Sequence, residues 1–263
     1  MTVFARFRAL PDKDKASLIR KLVENGTPDF DYFYLIGLST LMATLGLLLD
    51  SGSIVIGSML IAPLMYPVLG VSLGLVMMGD NTSLLQRALN TLTKSLAIGL
   101  GLSIIAALLF GNGDEGFYQT AEVMSRTTPN HLHLLVAIVA GAAVAYMLAR
   151  PEWGDALPGV AIAVALVPPL ATVGVGIAAA DVAVISGATM ILLLNLFGII
   201  AVAVFVFLLM NLSEQENVAE STVKREDKKI ESENKVIAEV AEKITVSKEK
   251  NKKIVIREDI KTE

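Results

Sequence analysis

Residues 51–75 read SGSIVIGSMLIAPLMYPVLGVSLGL, an apolar run of membrane-crossing character that carries Pro63 and Pro67 near its middle. A proline inside a helix removes one backbone N–H, clashes with the turn before it and costs about 3 kcal/mol. Hydrocarbon offers no water to the carbonyls so freed, and the protein has to satisfy them internally. The full run, 53–79, is also too long. As one helix it would measure roughly 40 Å against a hydrocarbon core of about 30 Å. A break at Pro63–Pro67 accounts for both the prolines and the excess.

The surrounding sequence makes this a polytopic membrane protein of all-α class. The chain has 263 residues, 54% of them hydrophobic, and the excess lies in long runs rather than in a soluble pattern. Between Tyr32 and Leu212 only Arg87, Lys94, Arg126 and Arg150 are basic, and all four lie near the ends of apolar runs. Six spans are expected: 32–49, 53–79, 92–110, 133–149, 157–180 and 182–212. They form a transmembrane domain over 32–212, between an N-terminal segment, 1–31, and a charged tail, 213–263. The stretch PDKDKASLIRKLVEN, 11–25, puts Leu18, Ile19, Leu22 and Val23 on one face of a short helix that Gly26 ends. The tail carries twelve Lys/Arg and thirteen Asp/Glu, with Val223, Ile230, Ile237 and Ile244 at a seven-residue interval. Only one seam position is regularly apolar, so the tail reads as helical or partly disordered.

Loop charges orient the spans. Arg87 with nearby Lys94, Arg150 and the Lys-rich tail fall on one side, together with the basic N-terminus. Asp114, Glu115, Glu122 and Asp181 fall on the other. Lys and Arg mark the cytoplasmic side, so both termini are expected in the cytoplasm and the protein in the inner or plasma membrane. No removable signal peptide is expected, since no small-residue cleavage site precedes the first long run.

The opening motif has an echo at 165–177, ALVPPLATVGVGI. Setting Pro63 on Pro169 puts Leu64 on Leu170 and Gly70 on Gly176. The chain then reads as two three-helix halves, about 32–110 and 133–212, with opposite orientations and broken helices 2 and 5. Interrupted helices in matching positions of inverted halves point to the binding site of a secondary transporter.

The segments ATLGLLLDS, 43–51, and IGSMLIAPLMYP, 56–67, resemble the signature of domain-of-unknown-function family 389, a set of uncharacterised hydrophobic membrane proteins of bacteria and archaea. The close resemblance covers 28–75, and the later spans follow the pattern more loosely. It implies a polytopic membrane domain and no activity that can be carried over.

Chemistry is sparse within the spans. No ionisable side chain lies in the middle of one, which argues against a proton relay or a carboxylate-coupled site. The absence of cysteine excludes disulfides and thiolate chemistry. No G-x-S-x-G, H-E-x-x-H or P-loop motif appears, so no enzyme activity is expected. Broken helices can still bind an ion or a polar solute through exposed backbone groups and neutral side chains. The candidates are Ser58, Pro63, Tyr66 and Pro67 at the first break, Pro168, Pro169 and Thr172 at the second, and Asn195 alone among aliphatic residues. The plainer role for each hydroxyl or amide is a hydrogen bond across packed helices, contributing about 0.6 kcal/mol. Asp50 reads as a helix-end acid, and His131 and His133 as interfacial side chains. Gly70-x-x-x-Gly74 and the Ala137, Gly141, Ala145 series let helices approach closely, within or between subunits.

The function expected from this pattern is a transporter or channel-like permease for a small ion or small polar solute. The alternative is a non-transporting scaffold or sensor that acts through its cytoplasmic ends. Expected partners are the bilayer, the solute and further copies in a homo-oligomer; no cofactor and no nucleic acid is expected.

Overall fold

The computed structural model describes residues 10–77, 82–111, 116–148 and 156–259, with side chains described outside 156–164, 239 and 241–259. Among the described residues there are helices and no strands. In order they are α1 (Asp12–Asn25), α2 (Phe30–Leu48), α3 (Gly52–Met59), α4 (Met65–Val76), α5 (Ser83–Phe110), α6 (Ala121–Met124), α7 (His131–Leu148), α8 (Ala156–Ala178), α9 (Val182–Leu209) and α10 (Glu216–Asp259). A 3-10 turn, Leu212–Gln215, precedes α10. The chain divides into two compact units, Met1–Thr222 and Val223–Glu263. The described residues of the second unit, 223–259, are helical, KKIVIRE at 252–258 included.

The first unit is a helical membrane bundle. Four helices, α2, α5, α7 and α9, are long and apolar enough to cross a bilayer. Large apolar side chains stay exposed on them, including Leu108 and Leu109 on α5, Leu135 and Val139 on α7, and Leu193 and Phe197 on α9. Surfaces of this kind belong against lipid. The second expected span is divided between α3 and α4, and the fifth falls on α8, whose Ala165–Ala178 portion is a shorter apolar helix.

Helix ends follow from local chemistry. Asp29 caps α2 by accepting from the Tyr32 N–H at 2.7 Å, and Asp181 caps α9 by accepting from Ala183 and Val184. Left-handed residues terminate three helices: Asp50 after α2, Ala180 after α8 and Asn211 after α9. At the first two, the following N–H reaches back five residues, Ser51 to Gly46 and Asp181 to Gly176.

Two expectations need correction. Residues 83–90, left outside the expected third span at 92–110, are the first turns of α5. Their apolar positions Leu84 and Ala88 are buried, with Gly74 closing on Leu85 and Gly70 on Ala88. The fifth run is not broken either: α8 continues through Pro168 and Pro169. Pro67, by contrast, falls in the first turn of α4, where its missing N–H would have no helical partner anyway. Residues 60–64, with Pro63 among them, separate α3 from α4.

Small residues set the packing inside the bundle. A Cβ on Gly141 would lie 3.0 Å from the Ile199 backbone, and one on Gly198 would lie 3.1 Å from Ala137. The Ala137, Gly141, Ala145 face is therefore spent on α9 within one subunit. The same holds for Gly70 and Gly74, which face α5. The amphipathic α1 buries Leu18, Ile19, Leu22 and Val23 and packs on α4.

Candidate functional site

A segment between α5 and α7, residues 116–130, lies over one end of the bundle and is tied down along its length. Thr120 Oγ1 donates to the Leu47 carbonyl at 2.8 Å, and Asp50 Oδ1 accepts from the Glu122 N–H at 2.9 Å. Glu122 in turn holds Arg126, whose guanidinium lies 2.7 Å from Oε2 and also donates to the Glu122 carbonyl. Further on, the Thr127 carbonyl is pressed against Gly187 of α9. Asp50 is thus a helix-end acid with a second duty, anchoring this segment.

Beneath that segment lies a cavity of about 380 Å³ between α7, α8 and α9. Ser125, Arg126 and Asn130 line it from the segment, and Leu132, His133 and Val136 from α7. Its buried wall is Ala165 and Pro169 of α8 with Ile191 and Asn195 of α9.

Pro169 and Asn195 are coupled by the backbone. Pro169 has no N–H to give the carbonyl four residues back, which belongs to Ala165. Asn195 Nδ2 donates to that carbonyl at 2.7 Å. The side chain of one helix thereby repairs the ladder of another, which lets α8 stay continuous. One such bond contributes about 0.6 kcal/mol, less than the roughly 3 kcal/mol a proline costs, so surrounding packing supplies the rest. The repair also fixes the amide. A carbonyl only accepts, so nitrogen must face Ala165 and oxygen must face away. That oxygen, Oδ1, is buried and has no hydrogen-bond partner, and Asn195 is only 6% exposed. Buried acceptors without partners are rare and costly, about 1–3 kcal/mol each.

Of the eight candidate residues, the structure brings Pro169 and Asn195 together at this cavity. Pro168 and Thr172 lie on the same helix, and Thr172 Oγ1 donates to the Pro168 carbonyl at 2.9 Å. Thr172 is fully buried. Ser58 is fully buried at the end of α3, where its hydroxyl donates to Val55 and its carbonyl accepts from Ser39 Oγ at 2.8 Å. Tyr66 and Pro67 sit elsewhere, in a crevice with Leu22, Gly26 and Arg87. Pro63 stays in the link between α3 and α4.

Ser125, Arg126 and Asn130 were not singled out by sequence reasoning. Their signal was a tract of polar residues between two spans, which composition alone cannot tell from a solvated loop. His133 Nδ1 lies 3.3 Å from the Asn130 backbone, a local turn contact. Among the described residues no group of three His, Cys, Asp or Glu side chains could hold a metal ion.

A second polar contact links three helices away from the cavity. Thr44 Oγ1 of α2 lies 2.8 Å from Ser103 Oγ of α5, and Ser103 donates to the Ala171 carbonyl of α8 at 2.9 Å. All three side chains and the neighbouring Gly174 are buried, so this is packing chemistry rather than a site.

Comparison with known proteins gives kinship without an activity. The family described as "Domain of unknown function (DUF389)" matches residues 59–221. The match begins inside the stretch that prompted the resemblance and takes in all the later spans, a wider share than 28–75. An uncharacterized protein of Methanocaldococcus jannaschii, MJ0678, is 31% identical over 170 residues, covering 65% of this chain and 51% of the relative. The chain thus spans about half the length of that relative. No solved structure matches.

Proposed function

Because this chain belongs to the DUF389 family, whose description assigns no activity, we propose from its own geometry that it is a permease for a small ion or small polar solute. The observation that carries the reading is Asn195. Its amide oxygen is a buried acceptor without a partner, beside a cavity that reaches between three helices to the centre of α8. A membrane helix bundle built only for anchoring has no use for either feature.

The reading places the 116–130 segment on the outer face and both termini in the cytoplasm of a cell-membrane protein, in keeping with the loop charges. Two inverted halves fit the helix pairing. Within the halves α2 packs on α5 and α7 on α9; across them α5 packs on α8 and α4 on α9. Transport would then alternate access to the site near Pro169 and Asn195, with the irregular backbone of residues 60–64 at the corresponding place in the other half, where α8 stays continuous. The scaffold alternative draws on one observation, the separate helical unit formed by Val223–Glu263.

The chain contains no cysteine, so single cysteines can be read without background. Asn195→Cys and Ile191→Cys should react with a membrane-impermeant thiol reagent added outside, well faster than Leu193→Cys on the lipid-facing surface. Reaction no faster than that control would rule out a watered path and leave the scaffold reading.

A further inference from the structure

Resting on the permease reading, we infer that the cavity takes a small uncharged solute of the polyol or amide class, bound through a hydrogen-bond donor to Asn195. The direction of that bond follows from the fixed amide: with Nδ2 committed to Ala165 at 2.7 Å, the group left over is an acceptor, so its partner has to donate.

Charge decides against ions. Among the described residues no carboxylate lines the cavity. The permanently charged side chain among the described lining residues, Arg126, is held by Glu122 at 2.7 Å. A cation would meet that guanidinium with Ser125, Asn130 and Asn195 as the side-chain oxygens among the described residues, whereas hard divalent cations take six or more. An anion would meet a guanidinium whose charge Glu122 already balances. Either would shed its hydration at a cost that a neutral lining does not return.

Size and lining agree with an organic solute. About 380 Å³ lies within the usual range of small-molecule sites and far exceeds one dehydrated ion. Leu132, Val136 and Ile191 offer apolar surface to a short carbon skeleton, while Ser125 and Asn130 can exchange further hydrogen bonds with hydroxyls or amides.

The test is reswelling of liposomes that contain the full chain after a hyperosmotic step. Glycerol and urea serve as neutral probes, and sodium chloride and potassium chloride as the ionic ones. Relaxation should be faster than in empty liposomes for glycerol or urea and unchanged for both salts. Asn195→Leu should slow it about tenfold, the factor that corresponds to one lost buried hydrogen bond. Since Asn195 also supports α8, Val136→Trp provides a second variant. It fills the cavity from an exposed position on α7 and should slow the same flux. Salt flux without solute flux overturns the inference, as does solute flux indifferent to Val136→Trp. Absence of all flux also overturns it, and the labelling of Asn195→Cys then separates the two failures. A reactive cysteine keeps the permease and discards the solute class; an inert one discards both.

Discussion

Gly187 of α9 lies directly against the carbonyl of Thr127, so close that a Cβ at 187 would stand 1.8 Å from that oxygen. The contact is backbone on backbone, and no side-chain rotation can relieve it. It seats the polar segment over the cavity between α7, α8 and α9. Gly187→Ala should therefore displace residues 125–130 and destabilise the protein by about 1–3 kcal/mol, the usual cost of overpacking. Thermal unfolding in detergent would show the loss. The rate at which a cysteine at Ser125 is labelled would show the displacement. An unchanged rate together with unchanged stability would mean the segment is not held there.

The repair of α8 by α9 predicts a particular non-additivity. Asn195→Leu alone leaves the Ala165 carbonyl without the donor that Pro169 cannot supply, and should cost about 1–2 kcal/mol. Pro169→Ala restores an N–H to that turn. In the Pro169→Ala background Asn195→Leu should cost about 1 kcal/mol less, a coupling well outside the additivity of separate sites. Unfolding of the four proteins in one detergent measures it. Strict additivity would mean that the 2.7 Å bond contributes nothing to α8.

That pair also shows where the sequence was legible and where it was not. Asn195 stood out because a lone amide among aliphatic residues is costly in lipid, and Pro169 because a proline there needs help. Their mutual service was hidden: it depends on the register of α9 against α8, 30 residues apart in the chain, which no local pattern encodes. Reading the two prolines of α8 as a break rested on the intrahelical ladder alone and ignored a donor from outside it. Apolar runs gave α2, α5, α7 and α9 within a few residues, apart from the start of α5. There Leu84 and Ala88 were too sparse to mark a helix without knowledge of Gly70 and Gly74 opposite. Tyr66 looked central because Pro63 and Pro67 bracket it. The structure puts it beside Gly26, because α1 folds back onto α4.

Close approach of α8 to α5 predicts a rescue. A Cβ on Gly174 would lie 2.4 Å from Ser103 Oγ and 2.5 Å from Ser103 Cβ. Gly174→Ala should cost about 1–3 kcal/mol. Ser103→Ala alone should cost about 0.6 kcal/mol, the value of one interhelical hydrogen bond. It should not rescue Gly174→Ala, since the Cβ clash remains. Ser103→Gly should recover part of the loss. Melting temperatures of the single and double variants decide this, and equal rescue by Ala and Gly would contradict the geometry.

Asp181 gives a pH dependence whose sign can be worked out. Its carboxylate caps α9, and the Val184 N–H first, then the Tyr118 hydroxyl, hold its pKa below the ordinary value of 3.8. A group depressed in the folded state adds stability above its unfolded pKa and loses it as pH falls through the folded one. The contribution is therefore intact at neutral pH and fades only below about pH 4. Asp181→Asn keeps a capping oxygen but no charge at the positive end of the helix dipole. Wild type should be the more stable protein at pH 6, and the gap should narrow as pH drops from 4 towards 3. Asp181 is only partly buried and the lowering comes first from the Val184 N–H, so the effect belongs to the capping bonds rather than to burial. A gap that widens on acidification would show that protonated Asp181 caps better than the carboxylate, contrary to the hydrogen bonds from Ala183 and Val184.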